Sequence, residues 1–454
     1  VDPQSVLVDA AMMLTDNARG RHSPLVLVPQ FFGSTVFDRS TSKYLPFDDV
    51  TTQLLRRLQF KSFDSVRAEQ KNEELGAALE RFFDHFYRSG FFSLDGRFIG
   101  SVLDVSPPDD HLLGPLAVHL EVIASCNLAC THCFAGELPR REHALTLREL
   151  DTLFETLAGM GTYRLGLTGG EPLLRRDIFD IVDLALEHGL HPCLTTNGLL
   201  ITEETARKFG ERELMWLNVS LEGATPRTND AVRGPGTFDR VMDRIALLAK
   251  HSRFTLAFTI MQSNLEEIEA CADLARRVGA HTAVFRPLYP VGTARHHLHL
   301  MPTFGEYNDA LNRLTAMQNE ADFELCSLEP FSPQSRVETL AITQENYGCG
   351  AGNHVCSISL GGDVNPCSFL GSGFVAANIR ERPFADIWHN SHTFTAMREL
   401  PGAEDGGFAG GCRARALVYN GSASAADPWI SDYSASPRKT QHVYHPLAVL
   451  GLSK

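Results

Sequence analysis

From residue 116 to 318 the apolar positions switch repeatedly between two periods. Leu116, Val118, Leu120 and Val122 alternate with polar neighbours, the period of a strand. Thr146 and Glu149 then make a capping-box pattern around Leu147, Leu150, Phe154 and Leu157, which recur at helical spacing. A second strand is expected over 163–167. The next helix carries Ile178, Ile181, Val182 and Leu186, with Gly189 where a helix cap belongs. Further strands fall near 193–196, 215–221, 254–261 and 282–287, and helices near 202–209, 238–251 and 264–278. The helix near 304–318 closes the series. Six strand–helix units predict an α/β fold, a parallel sheet curled into a partial (β/α)6 TIM-like barrel. In such folds the site lies at the C-terminal ends of the strands.

The flanks have other patterns. Residues 1–23 are polar or mixed and read as a loose lead-in. A strand at 25–28 precedes a hairpin whose arms hold Thr35-Val36-Phe37 and Tyr44-Leu45, around the polar turn 38–43. Asp48 suits an N-cap for a helix carrying Val50, Leu54, Leu55 and Leu58. A longer helix places Leu75, Leu79, Phe82, Phe83 and Phe86 on one side and ends at Gly90. Asp95-Gly96 fits the turn of a closing hairpin over 91–99. This layout resembles the winged-helix module that recognises leader peptides in enzymes modifying ribosomally made peptides, where the leader adds to the sheet edge. A small α+β cap that helps close the barrel is the other reading. The prolines of 106–110 mark a linker. Past 321 the chain turns Gly-rich and strand-poor, and beyond 420 periodicity is lost. The expected domains are 1–105 (winged-helix-like), 116–320 (barrel), 321–420 (a cysteine-bearing domain) and a tail, 421–454, wrapping the surface or partly mobile.

Composition narrows the class. Hydrophobic residues are 43% and charged residues 21% of 454, as in a soluble globular protein with a large core. No apolar run is long enough for a membrane span, and no secretion signal opens the sequence. A cytoplasmic protein without membrane partners is expected. The formal net charge of −14 opposes nucleic-acid binding, which rests on cations that neutralise phosphates. Ten cysteines in such a chain point to metal or redox sites more than to disulfides.

Three of them, Cys126, Cys130 and Cys133, form a C-x3-C-x2-C loop directly after the first barrel strand. Structural zinc sites pair their ligands, usually four. A histidine between two ligands, His132, would strain such a loop. Three thiolates at this spacing fit an iron–sulfur cube with one open iron. The segment is identified as a member of the radical S-adenosylmethionine superfamily, whose signature has the same spacing with an aromatic slot, here His132. Gly169, Gly170, Glu171 and Pro172 resemble the family's GGEP motif, which meets the methionine amino group. Ser220 resembles its ribose-contacting position, and Glu222 closes that motif without a settled role. Arg233 resembles the arginine that binds the methionine carboxylate, for which a guanidinium fork is well shaped. The resemblance covers about 116–320 and implies a 4Fe–4S cluster, S-adenosylmethionine, and a 5′-deoxyadenosyl radical that abstracts hydrogen from the substrate. It also implies a reducing partner such as flavodoxin or ferredoxin.

Cys349, Cys356 and Cys367 recur in the later region, followed by Ala377-Asn378-Ile379, Ile387-Trp388 and Gly410-Gly411-Cys412-Arg413-Ala414. This resembles the SPASM extension of radical S-adenosylmethionine enzymes, whose first auxiliary cluster takes ligands matching Cys349, Cys356, Cys367 and Cys412. The cysteines of a second cluster are missing from 400–411, and Ile430 stands where the family tends to place one. One auxiliary 4Fe–4S cluster is therefore expected, as in the shorter twitch variant, with zinc in the four-cysteine site as the competing reading. Cys193, Cys271 and Cys326 read as buried thiols. The histidines of 296–299 read as a solvated loop.

The expected function is radical modification of a ribosomally made precursor peptide with a leader segment, by crosslinking, decarboxylation, thioether formation or epimerisation. Cys349-Gly350-Ala351-Gly352 resembles the peptide-maturing branch that includes the mycofactocin maturase. The alternatives are a radical enzyme acting on a small molecule, such as a tetrapyrrole side chain or an amino sugar, and a non-catalytic electron-transfer protein. Intact motifs for the methionine moiety oppose the last, since electron transfer needs no open iron.

Overall fold

The first three strands, β1 (Leu25–Gln30), β2 (Gly33–Asp38) and β3 (Lys43–Asp48), form an antiparallel meander. The short strand β4 (Ser101–Val102) lies parallel to β1 on its other side, giving the order β3-β2-β1-β4. The computed structural model describes residues 22–136, 143–318, 324–327, 349–400 and 411–429. Every residue of β1 is buried, because the small sheet packs on both faces. Leu25 and Leu27 meet Leu55, Leu58, Phe82 and Phe86 from the helices Asp49–Leu58 and Glu73–Arg88. Val26 and Val28, with Phe37 and Tyr44, face the core of the barrel instead. Asp48 caps the first helix through the Thr51 amide, as expected. Three expectations change. Val50 is 70% exposed, on the wrong side of its helix. The closing hairpin is a single bridge, Phe92 to Phe98. An extra helix, Phe63–Glu69, went unforeseen because it buries only Phe63 and Val66.

Polar contacts fix this sheet to the barrel. The Tyr44 hydroxyl donates to the Gly161 carbonyl at 3.0 Å and accepts from the Tyr163 amide at 2.7 Å. Arg164 donates to the Ser42 carbonyl at 2.6 Å, and His191 Nδ1 lies 2.7 Å from Ser42 Oγ. Gly161, at φ +72°, leaves no room for a side chain, since a Cβ there would lie 2.4 Å from Val28. Burial holds the His191 imidazole down at about 4, against 6.5 for the free group, and the neighbouring Arg39 charge adds to this. Neutral His191 therefore contributes stability in full above about pH 6.5, and that contribution is lost as pH falls through about 4. Its size is on the order of 2–3 kcal/mol. His191→Gln should flatten the decline of the melting midpoint between neutral and mildly acid pH; equal declines in both proteins would rule this out.

The barrel sheet begins with β5 (Ala117–Ile123). Beside it run β6 (Arg164–Gly169), β7 (His191–Thr196), β8 (Trp216–Ser220), β9 (Thr255–Ile260) and β10 (Thr282–Pro287), all parallel. The series extends at both edges. β11 (Glu324–Ser327) adds parallel to β10. At the other edge β12 (Val355–Ile358) lies parallel to β5, followed by antiparallel β13 (Asp363–Asn365) and β14 (Ala377–Asn378). The result is one open sheet of ten strands. The region past 321 is thus not strand-poor: its short strands cover the β5 edge, which would otherwise present unpaired backbone groups. The capping box at Thr146 and Glu149 is formed, although Leu147 stays exposed. The helix Phe304–Gln318 matches its expected span. The helix Pro226–Arg233 was missed. Thr225 caps it and Pro226 opens it, but it has no apolar stripe.

The C-terminal helices Phe384–Asn390 and His392–Arg398 share the barrel core through Trp388 and Phe394, and Trp388 donates to the Leu112 carbonyl at 2.9 Å. The start of the tail is not a surface wrap. Asp427 and Trp429 are buried, and Trp429 stacks on Tyr307 with ring centroids 5.1 Å apart. Among the described residues no helix is long and apolar enough to cross a membrane.

Candidate functional site

The loop after β5 lies against the turn after β6. The Gly170 amide donates to the Ile123 carbonyl at 2.6 Å, and the Glu171 amide to the Ser125 carbonyl at 2.9 Å. The two glycines permit this approach. A Cβ on Gly169 would lie 2.2 Å from the Ile123 carbonyl oxygen, and one on Gly170 would lie 2.0 Å from that of Ser125. Gly169 also sits at φ +124°. Gly170→Ala should therefore displace the cysteine loop and lower the iron bound per chain after anaerobic reconstitution; a wild-type iron content would disprove it.

Glu171 is buried, and its carboxylate braces the rim. It accepts from Thr196 Oγ1 at 2.6 Å, the Asn197 amide at 2.7 Å and the Leu173 amide at 3.1 Å. Burial raises its pKa against these hydrogen bonds. Pro172 opens the short 3-10 turn Pro172–Leu174 that follows. Asn197 reaches back to the cysteine loop, donating to Asn127 Oδ1 at 2.6 Å and lying 3.9 Å from Cys126 Sγ. Ser220 ends β8 at the same rim.

Glu222 is the residue the sequence leaves without a role. Its Oε1 lies 3.0 Å from His132 Nε2 and 2.9 Å from Arg233 NH1, and its Oε2 accepts from the Thr259 amide at 2.9 Å. Burial works to raise its pKa, but contact with His132, the Arg233 guanidinium and the Thr259 amide outweighs it and holds the carboxyl below its ordinary value. The cysteine loop, the helix Pro226–Arg233 and β9 are thereby tied to one buried anion. Sequence spacing shows none of this, since the partners lie far apart in the chain. Gly292, at φ +57°, is a further unforeseen contact: a Cβ there would lie 2.5 Å from the Cys133 carbonyl oxygen.

Of the later cysteines, Cys349, Cys367 and Cys412 border one apolar cluster, while Cys356 belongs to the barrel core. Cys356 lies in β12, opposite Val118 of β5. The apolar cluster holds Val291, Leu370 and Met397, and also takes in Phe134 beside Cys133. Cys412 caps the helix Arg413–Asn420, and its amide donates to Asp427 Oδ2 at 2.7 Å. Residues 401–410 and Ile430, on which the expected absence of a second auxiliary cluster turns, lie outside the described residues, as does the side chain of Cys326. Cys271 is buried; Cys193 is only partly so.

The residues present fit an iron–sulfur cluster with a ligand that carries a carboxylate. Cys126, Cys130 and Cys133 are unbridged and near enough to feel one another's charge. Beside the thiols, Arg233 Nε and His132 Nδ1 are buried without hydrogen-bond partners. A buried guanidinium with an idle donor is matched by a carboxylate.

Comparison with known proteins agrees with this geometry. Residues 120–275 match the model of the radical SAM superfamily, and residues 349–413 match an iron–sulfur cluster-binding domain. An AdoMet-dependent heme synthase from Methanosarcina barkeri is 33% identical over 340 residues, 69% of this chain and 96% of that protein. The mycofactocin maturase MftC of Mycobacterium tuberculosis is 30% identical over 308 residues, 66% of this chain and 75% of its own length. The crystal structure of Streptococcus suis SuiB bound to the precursor peptide SuiA superposes with a TM-score of 0.67 at 17% identity, covering 89% of this chain and 97% of that one.

Proposed function

The chain belongs to the radical SAM superfamily, and from that premise we propose that it modifies a ribosomally synthesised precursor peptide whose leader docks on the N-terminal sheet. S-adenosylmethionine and iron–sulfur clusters are the cofactors of this enzyme class. When bound, they supply reductive cleavage of the sulfonium and a 5′-deoxyadenosyl radical that takes hydrogen from the substrate. Cys126, Cys130 and Cys133 would hold the first cluster. Arg233 and the backbone of Gly169 and Gly170 would orient the methionine moiety, with Ser220 toward the ribose. His132 and Glu222 would fix Arg233. Cys349, Cys356, Cys367 and Cys412 would hold one auxiliary 4Fe–4S cluster. About eight irons per chain are then expected after reconstitution, and about twelve would refute the single auxiliary site.

The observation that carries the peptide reading is the free edge of the N-terminal sheet. β3 pairs with β2 and, among the described residues, with no strand on its other side. An extended leader can add there as a further strand. Val50, in the helix that starts where β3 ends, offers exposed apolar surface nearby. The like-folded SuiB was crystallised with its precursor peptide, and MftC is a maturase by name. The identity with heme synthase along nearly its whole length favours a second reading, a tetrapyrrole substrate. The docked N-terminal sheet would then be a structural cap.

The test is anaerobic reconstitution with S-adenosylmethionine and dithionite, followed by mass spectrometry. One arm receives the precursor peptide encoded beside this gene, with and without its leader; the other receives an iron porphyrin bearing propionates. A leader-dependent mass change in the peptide supports the first reading. Conversion of the porphyrin alone supports the second. No 5′-deoxyadenosine in either arm removes both.

A further inference from the structure

The inner face of the barrel carries polar side chains that the cofactor site does not use. Val118 and Leu120 of β5 pack into the outer core, so strand alternation turns His119 inward. Leu194 of β7, Leu217 and Val219 of β8, and Ala283 and Phe285 of β10 likewise belong to the outer core. Cys193, Asn218 and Arg286 therefore share the inner face with His119. Asn218 donates to Cys193 Sγ at 3.3 Å and to Thr195 Oγ1 at 3.1 Å. His119 is solvent-exposed, so this face is open to solvent at β5. Gly166, its register partner on β6, leaves space for the ring: a Cβ there would lie 3.0 Å from His119 Cδ2.

Arg286 is the cation of this face. It lies within electrostatic reach of both His119 and Cys193, which sit on β5 and β7 across the barrel. Its Nε is buried and without a hydrogen-bond partner. Arg233, whose Nε is likewise unpartnered, is held through NH1 by Glu222, and Arg175 is held by Asp177 and the Val122 carbonyl. Glu121, on the inner face of β5, already has a partner. Arg286 is half-buried, and its buried Nε stays unfavourable until an acceptor meets it. Its planar fork is matched to a carboxylate.

Position links this cation to the reaction. Arg286 is the register partner of Thr259, whose amide donates to Glu222, so its strand position lies at the level of the buried ion pairs behind the cysteine loop. On the opposite wall His119 Nδ1 lies 3.2 Å from Ser368 Oγ, and Ser368 follows Cys367. This inner face thus lies between the residues assigned to the first cluster and those assigned to the auxiliary one.

We infer that Arg286 anchors a carboxylate of the substrate inside the barrel, with His119, Cys193 and Asn218 on the same face. This rests on reading the chain as a radical SAM enzyme, and it names the chemical class of the part that reacts. The carboxylate can belong to a peptide C terminus, an acidic side chain or a small-molecule acid. In every case it would hold the neighbouring carbon where hydrogen is removed.

Binding without turnover tests this. The reconstituted holoenzyme with S-adenosylmethionine and no reductant is titrated with three acids, N-acetylalanine, N-acetylglutamate α-amide and propionate, and with the neutral amide of each. Saturation-transfer NMR reads the affinity. At least one acid should bind about tenfold or more tightly than its amide. Arg286→Gln should erase that preference, and Arg286→Lys should keep part of it, while iron content and melting midpoint stay at wild-type values. The acid preferred identifies the source. Equal binding of acids and amides, no binding of any acid, or a preference that survives in Arg286→Gln overturns the inference. Because no turnover is read, failure here leaves the radical chemistry untouched, and failure of peptide modification leaves the binding result standing.

Discussion

Glu222→Gln should abolish formation of 5′-deoxyadenosine and weaken S-adenosylmethionine binding about tenfold or more. The reason is where the charge sits. Glu222 is almost wholly buried, with a side chain 2% exposed, and it is the anion for both His132 and Arg233. Solvent therefore screens little of the interaction. Glutamine preserves the shape and one acceptor oxygen but removes the counter-charge, leaving a buried guanidinium beside the thiols. Breaking a buried ion pair from one side costs about 3–5 kcal/mol, because the other charge stays behind. Part of that cost should appear as a lower melting midpoint. The rest should appear as a misplaced Arg233 and a looser cysteine loop, since Glu222 joins three separate elements. Equilibrium dialysis with labelled S-adenosylmethionine and a thermal melt measure both. If the variant binds the cofactor and melts like the wild type, the triad has no positioning role.

Glu222 also shows where sequence reading stops. The barrel was legible because β5 to β10 carry alternating or continuous apolar runs and the helices between them carry cap and stripe signals. The cysteine loop and the Gly169-Gly170 turn were legible because their spacing is local: three thiols in eight residues, and two glycines where a neighbouring loop must pass. The carboxylate that joins them was not, because its partners His132, Arg233 and Thr259 come from three elements and meet it only after folding. The helix that presents Arg233 buries Thr228, Asn229, Val232 and Arg233, so it lacks the apolar stripe that marks other helices. The strands past 350 span two to four residues, too short for a period to register. They exist because the β5 edge offers them a ladder. Arg286 was hidden for the converse reason. An arginine at the end of an apolar strand looks like a solvent-facing terminus until the sheet curls and turns that face inward.

The tail supplied the largest departure, and its test is the second expected result. Asp427→Ala should destabilise the protein by about 3–5 kcal/mol and lower the iron content from about eight to about four per chain. Asp427 and Arg415 are both fully buried, with Oδ1 2.8 Å from Arg415 Nε and Oδ2 2.8 Å from Arg415 NH2. The same carboxylate accepts from the Trp429 amide at 3.0 Å and from the Cys412 amide at 2.7 Å. The Arg415 guanidinium lies 3.7 Å over the Trp429 ring, and that ring stacks on Tyr307 of the barrel's last helix. Gly411, at φ +66°, lets the chain pass, since a Cβ there would lie 2.3 Å from Asp427. Alanine removes the counter-charge of a buried arginine and, at once, the group that fixes the Cys412 backbone. Cys412 should then swing away from Cys349, Cys356 and Cys367, releasing the auxiliary cluster while Cys126, Cys130 and Cys133 keep theirs. Asp427→Asn should fall between, because one of its two polar atoms is a donor facing donors. Iron and sulfide counts with a thermal melt decide the matter. A variant that keeps about eight irons and the wild-type midpoint would show that Cys412 is held by something other than Asp427.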